Sequence, residues 1–348
     1  MGSSDAYDAD VLVVGGGPVG LAAAIEARLA GRTALVLEPR PGPVDKACGE
    51  GLMPGALTSL ARLGVDPAGH ALSGIAYVGG ERRVEHRFVG PAGRGVRRTV
   101  LHAALAERAA GLGVARVPVR VTSLDQDPSG VVVGDLRGRY LLACDGLHST
   151  VRRLTGLERP ARRGVRTDRR RFGLRRHYRV TPWGDLVEVH WAPHAEAYVT
   201  PVAPGLVGVA VLGPAHTDLA ATLAALPELT ERLGGAEPDG PVRGAGPLRQ
   251  RTAARATGRV LLVGDASGYV DALTGEGLRV GLAQAAAAVA HLDDPHGYEQ
   301  AWARATRDYR VLTSGLVAAA TSPARRGIVP LAAALPGLYG AIVERLAR

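Results

Sequence analysis

Three short segments hold the residues whose types and spacing could do chemistry. The first is Gly15-Gly16-Gly17-Pro18-Val19-Gly20, where Gly15, Gly17 and Gly20 read G-x-G-x-x-G. The second, Asp145-Gly146-Leu147-His148-Ser149-Thr150-Val151-Arg152, reads D-G-x-x-S-x-x-R. The third opens on Gly264-Asp265-Ala266-Ser267-Gly268 and closes on Leu273-Thr274-Gly275-Glu276-Gly277. None of them sets up a nucleophile beside a base. What they supply is backbone N–H groups at glycines and isolated carboxylates, the groups that grip phosphates and hydroxyls.

The flanking elements give the first segment its meaning. Asp10–Val14 is an apolar strand, helix formers follow Gly20, and a glycine motif between strand and helix reads as a dinucleotide cradle. Gly15 permits the tight turn, Gly17 lets a pyrophosphate approach the backbone, and Gly20 lets the helix lie close to the strand. The helix N-terminus adds unpaired N–H groups and partial positive charge. A second strand, Thr33–Leu37, ends at Glu38, where an acidic side chain accepts hydrogen bonds from a ribose diol. An arginine there would have suggested a 2′-phosphate. The motif alone leaves NAD and FAD both open.

Further along, residues 39–52 form a Pro/Gly loop, Pro54–Leu63 a short helix, and residues 73–89 a strand pair around Gly79-Gly80. A helix from Arg97 to Leu112 and strands at 116–121, 131–133 and 140–143 complete the first half. From about 160 to 250 strands follow one another at 171–180, 185–191, 195–200 and 206–212, which predicts an antiparallel sheet. A buried strand (259–263) and a helix (277–291) then return to the first lobe, and residues 297–348 are helical with breaks near Pro323 and Pro336. The expected fold is α/β: a Rossmann-like lobe (1–158 and 250–295), an inserted antiparallel sheet lobe for substrate (159–249) and a helical C-terminus (296–348).

Composition bounds the rest. The formal net charge of +9 is almost wholly arginine, with Lys46 the only lysine. Biased arginine usage is favoured over nucleic-acid binding, since no nucleic-acid module is present. Two cysteines, Cys48 and Cys144, are too few for a disulfide framework or a metal site. No signal peptide and no run of about 20 apolar residues stands out, so a cytoplasmic protein is expected. The tail 327–343 is apolar, read as core helices capping the sheet lobe, with a peripheral membrane contact as the alternative.

Taken together and in this order, the three segments resemble the FAD-dependent monooxygenases of the aromatic-hydroxylase type and the allied geranylgeranyl-reductase flavoproteins. The resemblance implies FAD as the bound cofactor, with NADH or NADPH visiting as reductant. It places Asp265 on the ribityl hydroxyls with Gly264 leaving room, and Gly275 and Gly277 at the flavin N1–C2=O edge. Arg98, Asp145 and Gly146 fall at the pyrophosphate. No second strand–glycine–helix unit provides a separate nicotinamide domain.

Four readings follow from the resemblance. A monooxygenase would hydroxylate a lipophilic or aromatic secondary metabolite with O₂, through a flavin C4a-hydroperoxide. A reductase would saturate isoprenoid double bonds; Lys46-Ala47-Cys48-Gly49-Glu50-Gly51-Leu52 is similar to the cysteine–glycine loop of that group and puts Cys48 beside the flavin. Ala272 departs from that group's usual proline, and Tyr198–Pro201 lacks its tryptophan. A halogenase or a non-catalytic flavin-binding protein shares the fold. Trp191 and Tyr198 are the pocket candidates. The arginines from 159 to 179 are read as a solvated surface, or as a contact for an anionic partner such as a coenzyme A- or carrier-linked substrate.

Overall fold

The computed structural model describes residues 7–159 and 170–348. The first sheet is built on Ala9–Val14, whose apolar side chains are buried on both faces, as a central parallel strand requires. It pairs in parallel with Ala34–Leu37 on one side and Leu136–Ala143 on the other. Ala115–Val117 extends the first edge, and Val260–Leu262 lies parallel to Leu136–Ala143. Helix Pro18–Leu29 starts directly after the glycine turn with proline in its first turn, where a missing N–H costs nothing. It packs closely because its inner face is small: Ala22, Ala23 and Ala24 are fully buried. A Cβ on Gly20 would fall 1.8 Å from the Gly15 carbonyl oxygen, so only glycine permits that approach.

The second sheet has seven strands in the order Pro238–Ala245, Arg171–Tyr178, Leu206–Pro214, Glu196–Ala203, Leu186–Trp191, Gly74–Gly79, Arg82–Arg87. Its pairs are antiparallel except Leu186–Trp191 with Gly74–Gly79. The hairpin 74–87, assigned from sequence to the first lobe, therefore belongs to the second sheet. Local alternation predicts a hairpin but not the distant strand it joins. The strand Pro238–Ala245 went unforeseen; it is mostly exposed and carries no apolar alternation.

A 26-residue helix, Pro295–Ala320, crosses from the first lobe to the second, capped by Asp294 accepting from the Gly297 N–H. After Ser322 the chain turns through Pro323–Gly327 into two short helices, Ile328–Ala334 and Pro336–Ala347, the break bending the path by 101°. These close over the second sheet. Tyr339 donates to the Ile75 carbonyl at 3.0 Å, and Glu344 accepts from the Val89 N–H at 2.9 Å while meeting His86 Nε2 at 2.8 Å. Among the described residues no single helix is long and apolar enough to cross a membrane.

Candidate functional site

The ends of the parallel strands open on one cavity of about 890 Å³. Gly15, Gly17, Glu38, Arg98, Asp145, Gly146, Gly264, Asp265, Gly275 and Gly277 all line it. Gly20 lies behind them, in the packing role already described. Gly15 has φ +98°, and a Cβ there would stand 2.6 Å from the Cys144 carbonyl oxygen. At Gly17 nothing lies within 4 Å of where a Cβ would point, which leaves an open cradle at the helix N-terminus.

The polar groups here fit a dinucleotide because several hold hydrogen-bonding capacity in reserve. Asp145 Oδ2 caps the next helix by accepting from Thr150 and Val151 N–H groups, while its buried Oδ1 has no partner. Among the described residues no donor reaches the Asp265 carboxylate. Burial raises its pKa, against the nearby Lys46, Arg98 and Arg152 charges. Arg98 Nε is likewise buried and unpartnered. Such reserve at buried atoms is costly unless a ligand uses it. FAD has the hydroxyls and phosphates to do so.

Glu38 is differently placed. It is buried and accepts from Gly16 N–H at 2.9 Å, and from the Arg40 N–H, Nε and Nη2 at 3.0, 2.7 and 2.7 Å. Burial pushes its pKa up, but these bonds outweigh it and bring the carboxyl down to about 2. The carboxylate expected from sequence to accept from a ribose is thus already paired to Arg40.

Lys46 also lines the cavity, and its ammonium stands over Gly146. Burial lowers its pKa, helped by the Arg40 and Arg98 charges. With Arg98 it makes the cradle cationic, as pyrophosphate requires. Its loop is clamped from behind by a buried network that sequence reasoning missed. Glu50 Oε1 accepts from the Arg98 N–H at 2.8 Å, and Oε2 meets His177 Nε2 at 2.6 Å. Arg175 donates to His177 Nδ1 at 3.1 Å, which leaves Nε2 as the protonated nitrogen donating to Glu50. Arg175 also pairs with Asp45, and Thr200 donates to the Gly49 carbonyl at 2.8 Å.

Arg171 and Arg175, read from sequence within a solvated basic run, are buried structural ion-pair residues: Arg171 holds Glu196 and Asp271 at 2.7 and 2.9 Å. Arginines 162, 163, 166 and 169 of that run lie outside the described residues.

Beyond the cradle the cavity becomes apolar. Val187 and Val189 face it from the strand whose other face pairs Glu188 with His190 at 3.0 Å. Tyr198, on the next strand, lines it and donates to the Leu273 carbonyl at 2.8 Å, steadying the glycine loop before Gly275. Leu316, Leu338 and Tyr339 cover it from the C-terminal helices. Trp191 is not among the lining residues; its ring meets Tyr77 edge-on at 5.5 Å and lies under Arg325 at 5.2 Å. Cys48 lines the cavity, accepting at Sγ from the Glu50 N–H at 3.4 Å. Cys144 is a core thiol that burial pushes up in pKa.

The FAD binding domain family matches residues 8–204, more than half of the chain, and the chain belongs to that family. It is 36% identical over 168 residues to the rifampicin monooxygenase of Streptomyces venezuelae, covering 43% of this chain and 34% of that protein. It is 31% identical over 304 residues to the dialkyldecalin synthase of Streptomyces rugosporus, covering 79% of this chain and 63% of that protein. The matches thus span between a third and just under two thirds of these relatives' lengths. A triple mutant of a flavin-dependent brominase shares the fold, with a TM-score of 0.81 and 17% identity over 97% of this chain and 94% of that one.

Proposed function

We propose that this member of the FAD binding domain family is an NAD(P)H-dependent monooxygenase that hydroxylates a lipophilic or aromatic small molecule, free or carried on coenzyme A or a carrier protein. The observation that carries the reading is the shape of the site: one cavity joins a cationic dinucleotide cradle to an apolar chamber with few ionisable groups. The balance is RH + O₂ + NAD(P)H + H⁺ giving ROH + H₂O + NAD(P)⁺. Bound FAD supplies the two-electron and O₂ chemistry; the chain has to bind, orient and exclude water.

Its residues are suited to that division. Lys46, Arg98 and the glycine-loop N–H groups hold the phosphates. Asp265 takes the ribityl hydroxyls, and Asp145 Oδ1 offers a further acceptor. The N-terminus of helix Gly277–Ala290 directs its N–H groups and dipole at the cavity, where negative charge on a reduced ring system is favoured. Val187, Val189 and Tyr198 form one wall of the substrate chamber and the C-terminal helices its roof.

A second reading is supported by the place of Cys48 in the cavity lining: saturation of an isoprenoid double bond, with the thiol facing the bound substrate. The two separate in one experiment, in which holoprotein and NADPH are offered an alkylphenol and a polyprenyl substrate, with and without O₂. Hydroxylated phenol formed only with O₂ supports the first reading. A reduced polyprenyl product formed without O₂ would replace it with the second.

A further inference from the structure

The cavity has an open end, and its rim is unusually apolar. Val311 is 65% exposed, Leu331 57%, Leu335 46%, Leu338 54% and Ile342 37%, yet all five also line the cavity. The last four lie along the two short helices: Leu331 on the first, Leu335 at the break, and Leu338 and Ile342 one turn apart on the second. This is no loose tail. The last helix is anchored by buried Tyr339, Val343 and Leu346, by the Tyr339 hydroxyl bond and by Glu344. These side chains are exposed at the cavity mouth.

Val311 also borders a second groove of about 840 Å³, which meets the first cavity at Gly264, Asp265 and Gly277 and carries Arg159, Arg249, Arg251, Arg255, Arg307 and Arg310 along its lining. Arg255 pairs with Glu299, and Arg255 and Arg310 stack on Trp302 at 4.0 and 5.2 Å. Arg249 and Arg307 meet no carboxylate among the described residues and are exposed. Val311 is the rim residue that the cavity and the basic groove share.

We propose that this face docks on an anionic lipid bilayer, with the stripe from Leu331 to Ile342 and Val311 seated among the acyl chains and the arginine groove on the headgroup phosphates. Apolar insertion and attraction to anionic lipid together give interfacial binding without a spanning helix. The cavity then opens into the acyl region, and a lipophilic substrate enters without crossing water. The purpose of the docking rests on the proposed lipophilic substrate. The docking itself does not, since it is measured without turnover.

The test sediments FAD-loaded protein with vesicles of phosphatidylcholine, and of phosphatidylcholine mixed with phosphatidylglycerol, at low and high salt. Stronger binding to the anionic vesicles, weakened by salt, is expected. Leu331→Asp with Leu338→Asp should cut the bound-to-free ratio at least about tenfold. Arg249→Glu with Arg307→Glu should remove the preference for anionic lipid; FAD content and thermal unfolding certify that each variant is folded. Failure to bind either vesicle overturns the proposal, as does a folded leucine variant that binds like the parent. A soluble dimer that dissociates on the leucine substitutions would assign the stripe to a second copy of the chain instead.

Discussion

Removing Arg40 should tighten FAD binding, although Arg40 is a cation beside a site for a polyanion. A carboxylate offers about four acceptor positions. At Glu38 these are filled by Gly16 N–H and by three donors of Arg40. A ribose diol can therefore reach Glu38 only by displacing the Arg40 side chain, and its two side-chain bonds are what FAD has to overcome. The Arg40 side chain is 47% exposed, so screening holds the pair to about 1 kcal/mol, below the value for a buried charged bond. Arg40→Ala frees two acceptor positions and should lower the dissociation constant by about fivefold. Glu38→Gln removes the charged acceptor and should raise it about tenfold to 150-fold, from a loss of about 1.5–3 kcal/mol. Titrating apoprotein with FAD and following flavin fluorescence reads both. If Arg40→Ala weakens FAD as much as Glu38→Gln does, Arg40 is a cofactor ligand and the competition argument is wrong. The same pair sets a pH response. Glu38 is depressed from 4.5 to about 2, so its stabilisation is complete above pH 4.5 and is lost as pH falls toward 2.

Three further outcomes are expected. Asp265→Ala removes the unsatisfied acceptor just beyond the strand Val260–Leu262, and FAD retained through dialysis should fall sharply; retention equal to the parent would remove Asp265 from the cofactor site. Cys48→Ser should keep most NAD(P)H-dependent, O₂-consuming turnover, measured with an oxygen electrode, because hydroxylation by the bound flavin asks no chemistry of the thiol. Glu276, where burial outweighs the Arg279 ion pair, is raised to about 7. Its burial is therefore tolerated below pH 4.5 and becomes destabilising as pH rises through 7. Glu276→Gln should raise the thermal midpoint more at pH 8 than at pH 5, and an equal shift at both would show that Glu276 is already ionised in the fold.

That the glycine turns and the carboxylates at the strand ends gather at one cavity was legible, because their signals are local. Gly15, Gly17, Asp145 and Asp265 each follow a buried strand, and a strand end followed by a turn can be read within a dozen residues. The substrate end was not. Glu50 and His177 lie 127 residues apart and meet only through the seating of the 45–50 loop on the second sheet. Arg171 and Arg175 read as surface because carboxylates at 45, 196 and 271 neutralise them from other elements. Tyr198 and Trp191 were equal candidates from sequence. Register separates them: Tyr198 lies opposite Val189 at the cavity, whereas Trp191 lies further along, opposite Glu196, where Tyr77 and Arg325 cover it. For the C-terminal helices the sequence leaves a core face and a membrane contact both open, since apolar periodicity shows that a face exists and not what covers it.

The most direct measurement of the central claim follows the oxygen atom. Holoprotein, NADPH, isotopically heavy O₂ and a panel of alkylphenols are incubated together, and products are analysed by mass spectrometry. One heavy oxygen in a hydroxylated product, with one NADPH consumed per product, is the predicted result. A product carrying two added hydrogens and no oxygen from O₂, formed equally well under anaerobic conditions, would contradict it.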